Sequence, residues 1–220
     1  VSRHFLIFLL IGALVFFALF ALWPQIDLDT AAFFFRSGHF VGRTPAGDGF
    51  RRFFYDAPYV LLAALLIAAL AKFFGWIGRG PDGRAVVFLL ASLALGPGLL
   101  VNGVLKEISH RPRPEQTLAF GGPWAFQPYD SFAGQCGHNC SFVSGEAATA
   151  AWTLAPALLA PPPARAAAVA AAVAFTLATA LLRMAFGGHY LSDVLFGALF
   201  TFVIVLGFFQ WYRRGERARD

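Results

Sequence analysis

The chain has 220 residues, of which 58% are apolar and only 13% charged, and its mean hydropathy is +0.65. A soluble domain carries about 25% charged residues, so this chain lacks the polar surface to cover a water-soluble globule; disorder is excluded by the same figures. The net charge of +5 comes from basic residues at the ends of apolar runs and not from one stripe, which argues against nucleic acid as a partner and for a lipid bilayer. What remains is an all-α polytopic membrane protein, read as one domain over residues 1–220.

At roughly 20 residues per spanning helix, the sequence predicts six transmembrane helices and two long extracytoplasmic loops. The first span covers residues 5–23. It exceeds the 7–15 residues of a signal-peptide core and no small-residue cleavage site follows it, so a retained span is expected. Residues 24–57 mix charges with Phe33, Phe34, Phe35, Phe53 and Phe54 and read as the first long loop, lying along the membrane interface. Span two is expected at 58–77, a Gly- and Pro-rich turn at 78–84, and span three at 85–105 with a kink at Gly96, Pro97 and Gly98. The second long loop covers 106–143. Span four follows at 144–160, a proline turn at 161–165, span five up to 186, and span six at 190–212.

The short connections and termini carry Arg3, Arg79, Arg84, Arg165, Arg213, Arg214, Arg217 and Arg219. Short basic loops stay in the cytoplasm, so both termini are expected there and both long loops outside, as in a bacterial-type inner membrane protein facing the periplasm.

Ionisable groups at membrane depth are costly and mark functional sites. Lys106, Arg113, Ser144, Glu146, Arg183, His189 and Asp193 stand within or beside the expected spans. Counting crossings from an inside N-terminus brings all of them to the same outer face. Lys106, Arg113 and Arg183 supply three positive charges, and guanidinium groups grip oxyanions bidentately. Ser144, Gly145 and Glu146 open a helix, whose free N–H groups favour an anion. His189 and Asp193 are four apart and share a helix face. An aspartate accepting one imidazole N–H would leave the other ring nitrogen free to attack. Together the groups describe a nucleophile aimed at a phosphate.

Three blocks then resemble a known family. Lys106 to Pro114 reads K-x6-R-P, with Arg113 as its arginine; Cys140 to Glu146 ends in Ser-Gly-Glu where the family has P-S-G-H; Arg183 to Asp193 reads R-x5-H-x3-D. In this order they resemble the type 2 phosphatidic acid phosphatases, membrane lipid phosphatases related to vanadium haloperoxidases. The resemblance covers roughly residues 50–210, with the motifs within 106–193. It implies that His189 attacks phosphorus to give a phosphohistidine, that Asp193 orients it, and that Lys106, Arg113, Ser144, the Gly145 amide and Arg183 hold the phosphoryl oxygens. No metal or other cofactor is implied. Three departures stand out: Phe142 and Val143 where a proline commonly precedes the serine, Leu182 where a serine precedes the arginine, and Glu146 in place of the general-acid histidine.

The expected substrate is a membrane lipid phosphate monoester or diphosphate: lipid A phosphate, undecaprenyl diphosphate, phosphatidylglycerol phosphate or phosphatidate. A lipid-to-lipid phosphotransferase and a non-catalytic lipid-binding or transport protein are the alternatives, the latter because of Glu146. Either Glu146 or His138 is the expected general acid. Arg111 and His138 are candidate substrate contacts, Cys136 and Cys140 a candidate disulfide, and Asp27 and Asp29 are expected to cap a helix or pair with loop arginines. The sequence sets no oligomeric state.

Overall fold

The computed structural model describes residues 3–217, with side-chain surroundings for 11–215; Arg219 of the basic tail lies outside the described residues. The chain is mostly helical. Helix α1 (Arg3–Leu22) is followed, after Pro24, by α2 (Gln25–Phe33), and the two are bent by 85°. A two-residue hairpin pairs β1 (Phe35–Arg36) with β2 (His39–Phe40), Phe35 opposite Phe40. Helix α3 runs Pro45–Phe73, and α4 (Gly83–Leu93) continues through a π-helical stretch (Ala94–Leu105) into α5 (Lys106–Ile108). After a long loop come α6 (Gly145–Trp152), α7 (Leu154–Leu158), α8 (Pro162–Ala185) and α9 (Leu191–Arg217).

Four helices among the described residues are long and apolar enough to cross a membrane: Pro45–Phe73, Gly83–Ile108, Pro162–Ala185 and Leu191–Gly215; the bent Ile11–Leu22 and Gln25–Phe33 pair would make a fifth. The sequence predicts six. The difference lies at residues 144–160, where the chain forms the two short helices α6 and α7, almost wholly buried by protein. An apolar stretch wrapped by other helices has the composition of a lipid-facing span.

Helix α3 starts thirteen residues before the expected span at 58. Thr44 caps it, its hydroxyl accepting from the Gly47 N–H at 3.0 Å, and Pro45 sits in the first turn, where no N–H is needed. The polar stretch read as loop is therefore helix, and Arg51, Tyr55 and Tyr59 share its axis. Below them, exposed Val60, Ile67, Leu70 and Phe73 give it a lipid-facing surface. At Gly96, Pro97 and Gly98, where a kink is expected, the backbone winds as a π-helix, and the Asn102 side-chain amide donates to the Pro97 carbonyl at 2.6 Å.

Helix α9 is the central post, packed against α4, α6, α7, α8 and the π-helical stretch. Phe20, Val101, Phe142, Val143 and Phe196 form one buried cluster near its start, and Phe88, Leu89, Trp152, Leu154 and Val205 a second toward its end. The Trp152 indole N–H is satisfied within the second cluster by the Leu89 carbonyl and Ser92 hydroxyl, both at 3.1 Å. Helices α6 and α9 touch at Gly197, where a Cβ would stand 2.7 Å from the Ser144 carbonyl oxygen. The start of α3, the end of the Gly83–Ile108 helix, the end of α8 and the starts of α6 and α9 thereby meet at one end of the bundle. The opposite end gathers short turns, with Arg84 donating to the Trp211 carbonyl at 3.1 Å.

Gly197→Ala is expected to cost about 1–3 kcal/mol through overpacking. The cost would register as a lower unfolding midpoint in detergent; an unchanged midpoint would show that α6 and α9 do not meet this closely.

Candidate active site

The residues that meet at that end line a cavity of about 350 Å³. The Gly83–Ile108 helix contributes Asn102 and Lys106, the long loop Arg113 and Asn139, α6 Gly145, Glu146 and Thr149, α8 Arg183, the following turn His189, and α3 Arg51, Tyr55 and Tyr59. Of the residues expected from the sequence, Lys106, Arg113, Gly145, Glu146, Arg183 and His189 are thus brought together around one space. Ser144 and Asp193 are fully buried behind it.

Each cation is held by its surroundings. Lys106 Nζ donates to the Asn139 side-chain oxygen at 3.1 Å, and an Arg113 Nη2 donates to the Asn139 carbonyl at 3.0 Å. Asn139 is in the left-handed region, with φ of 50°, inside a loop closed by a disulfide between Cys136 and Cys140. The disulfide expected from the sequence therefore holds the segment that seats two of the three cations. Arg183 is almost fully buried, its Nη1 3.4 Å from Glu146 Oε1, while its Nε has no hydrogen-bond partner among the described residues. Gly188 makes room for that guanidinium, since a Cβ there would collide with it. At Gly145 a Cβ would stand 2.5 Å from Asn102 Oδ1 and 3.2 Å from Lys106 Nζ, so only glycine lets the helix start approach the lysine.

Ser144 is the N-cap of α6. Its hydroxyl accepts from the Ala147 N–H at 3.3 Å, so the side chain expected on the phosphate serves the helix.

The tautomer of His189 is fixed differently from the sequence expectation. Its Nδ1 stands 2.8 Å from the Ser141 carbonyl oxygen. A carbonyl only accepts, so Nδ1 carries the proton and Nε2 the lone pair. Asp193 Oδ2 lies 3.7 Å from Nδ1, within ion-pair range but beyond a hydrogen bond. That oxygen instead accepts from the Ser141 hydroxyl at 2.5 Å and the Tyr190 N–H at 2.9 Å. Asp193 therefore positions Ser141, and the Ser141 backbone positions the imidazole. Burial pushes His189 down to about 3, opposed by Asp193 and reinforced by Arg183, so the ring is neutral at physiological pH.

Behind the histidine lies a buried ionic bridge. Arg111 donates through Nη1 to Asp193 Oδ1 at 2.6 Å and through Nη2 to Asp27 Oδ2 at 2.7 Å. Its guanidinium stacks on Tyr190, 4.3 Å from the ring centroid. Asp27 also accepts from the Ser192 N–H at 2.8 Å and the Ser192 hydroxyl at 2.6 Å. Arg111 is fully buried, which corrects the expectation that it contacts substrate: both faces of its charge are used inside the protein. His138, the other candidate contact, is 82% exposed in its side chain, pairs with Glu107 at 2.8 Å and does not line the cavity.

Asp27 pairs with a loop arginine as expected, but its part in the site, like those of Arg51, Asn139 and Ser141, is not among the sequence expectations. Asp27 and Arg51 were each visible as a charge at the edge of an apolar or aromatic run, the signal that singled out the others. Ser141 and Asn139 carried no such mark.

A neutral, tautomer-fixed histidine on the wall of a cationic cavity, built where apolar helices end, defines a membrane protein that handles phosphate esters. The chain belongs to the PAP2 superfamily, whose profile matches residues 85–217. It is 38% identical over 204 residues to a lipid A 4′-phosphatase of Rhizobium leguminosarum, covering 85% of this chain and 87% of that one. It is 37% identical to a lipid A 4′-phosphatase of Rhizobium etli, over 85% and 79% of the two chains, and 34% identical to one of Francisella tularensis subsp. novicida, over 89% and 91%. No solved structure matches the chain. The protein is a multi-pass membrane lipid phosphatase.

Two outcomes follow from the site. Asp27→Ala leaves half of a buried guanidinium uncompensated and is expected to cost about 3–5 kcal/mol, measured by unfolding in detergent; wild-type stability would show that Arg111 does not need this partner. The His189 ring resonances are expected to stay those of a neutral imidazole as pH falls from 8 to 5, because protonation must overcome burial until about pH 3. An inflection near 6.5, the value of an exposed histidine, would contradict the burial.

Proposed function

We propose that this phosphatase removes a phosphate monoester group from lipid A at the periplasmic face of a bacterial-type inner membrane, without a metal, through a phosphohistidine on His189. The observation that carries the mechanism is the 2.8 Å contact of His189 Nδ1 with the Ser141 carbonyl, which leaves Nε2 as the nucleophilic atom beside three cations. Lipid A is favoured over the other lipid phosphates by the three relatives that bear its name.

In the first half-reaction Nε2 bonds to phosphorus as the bond from phosphorus to the lipid oxygen breaks, and Glu146, having taken a proton from solvent, passes it to that oxygen. Lys106, Arg113 and Arg183 stabilise the charge gathering on the three equatorial oxygens, the principal help a protein gives phosphoryl transfer. The phosphorylated imidazole keeps its Nδ1 proton and is cationic, 3.7 Å from Asp193 Oδ2; at an effective dielectric constant of about 20 such a pair gains about 4 kcal/mol. In the second half-reaction water attacks phosphorus, the P–N bond breaks, and Glu146 accepts the water proton. The sum is one water consumed, with lipid alcohol and phosphate released. Three fixed cations already supply the charge that a divalent ion would bring, which supports the metal-free reading.

The orientation rests on charge. The end of the bundle opposite the cavity carries Arg79, Arg84, Arg165, Arg213 and Arg214 in short connections, which favours that end, and both termini, in the cytoplasm.

The test is a panel of lipid phosphates offered to the detergent-solubilised protein. Phosphate release from lipid A, reduced to background by His189→Ala, is the expected result. Transfer only to a second lipid would make it a phosphotransferase, and binding without turnover a lipid carrier; either overturns the hydrolytic reading.

A further inference from the structure

Glu146 stands where the family resemblance places a histidine, and its surroundings are not those of a group holding a proton. Arg51 grips its carboxylate, Nη2 donating to Oε1 at 2.7 Å and Nε to Oε1 and Oε2 at 3.2 and 3.4 Å. Arg183 Nη1 lies 3.4 Å from the same Oε1. One carboxylate thus ties α3 and α8 to α6 inside the cavity.

The two guanidiniums differ. Arg183 is 4% exposed in its side chain and fixed, with its Nε lacking a partner among the described residues, while Arg51 is 42% exposed and edges both this cavity and a second cleft beside it. A two-oxygen anion of one charge therefore sits between cations that suit a three-oxygen anion of nearly two charges, and it leaves one of their donors unused.

We propose that Glu146 is a stand-in anion: between turnovers it holds Arg51 and Arg183, and the entering phosphoryl group displaces it and takes Arg51 as a fourth cation. The proposal rests on the phosphatase reading for its ligand and extends it to a residue outside the three motif blocks. The exchange is favoured because a phosphate monoester brings more charge and a third acceptor oxygen to the same donors. Arg51, being partly in solvent, can swing for the loss of its contact over the Phe186 ring. The displaced carboxylate, no longer between two guanidiniums and now beside a phosphate, gains affinity for the proton that the first half-reaction requires. The static alternative is that Arg51 permanently neutralises Glu146 and never meets phosphate.

The experiment adds inorganic phosphate to protein carrying ¹⁵N-labelled arginine and follows the guanidinium Nε resonances, with Arg51→Gln identifying the Arg51 signal. Exchange predicts that the Arg51 signal shifts on saturation together with that of Arg183; an Arg51 signal unmoved while Arg183 shifts overturns it. Affinity gives the second readout. Glu146→Gln removes the competitor and is expected to bind inorganic phosphate roughly tenfold more tightly, about 1.4 kcal/mol, while turning over poor leaving groups more slowly than wild type. Weaker phosphate binding by a folded Glu146→Gln would show that the carboxylate anchors the site and does not compete for it. Wild-type hydrolysis measured in parallel separates the two proposals: a shifting Arg51 without hydrolysis sinks the phosphatase mechanism alone, and hydrolysis with a static Arg51 sinks the exchange alone.

Discussion

The Asp27–Arg111–Asp193 bridge is the interaction on which the site depends. Three charged side chains, all essentially without solvent contact, are costly to bury, and such a group persists only when each charge is matched and each donor used. Here the match is close: Arg111 reaches both carboxylates, its Nε donates to the Gln127 carbonyl, and its plane lies against Tyr190. The bridge binds α2, the long loop and the start of α9 into one unit. It also aims Asp193, which aims Ser141, whose carbonyl selects the His189 tautomer. An imidazole of defined protonation thus rests on a chain of contacts reaching back to the first bent helix pair.

Around that fixed point the cavity concentrates like charge. Lys106, Arg113 and Arg183 repel one another and are restrained by their surroundings: Lys106 and Arg113 by Asn139 in its disulfide-closed loop, Lys106 also by the tight approach of Gly145, and Arg183 by the packing at Gly188. Glycine is needed at both of those positions for space and not for flexibility. Glu146 relieves part of the repulsion, which explains how a carboxylate is tolerated where a histidine is expected. In the proposed mechanism, cations preorganised in this way need no rearrangement as charge develops on the phosphoryl oxygens.

Much of this was legible in the sequence, because ionisable groups in apolar surroundings are rare enough to be conspicuous. Lys106, Arg113, Glu146, Arg183 and His189 were found on that ground and by their spacing, and the structure brings them to one cavity. The misreadings share a cause: sequence does not reveal what covers a residue. Arg111 is expected at substrate because what buries it, above all Asp27 84 residues away and beyond the 85° bend at Pro24, is a tertiary contact. Residues 144–160 are expected as one continuous helix and form two short ones, because an Ala-rich segment buried by protein has the composition of one buried by lipid. Arg51 is expected in a loop because its polar neighbours mask a helix whose start is marked only by Thr44 and Pro45. Ser141 could not have been found, since it acts on the histidine through a main-chain carbonyl that every residue possesses.

The most direct measurement is rapid-quench trapping of the phosphorylated protein during turnover of a lipid phosphate. A phosphoryl group attached to His189, labile in acid, stable in alkali and absent from His189→Ala, is the result this mechanism predicts. Turnover in a single displacement, with inversion at phosphorus and no labelled protein at any time, would mean that His189 is not the nucleophile.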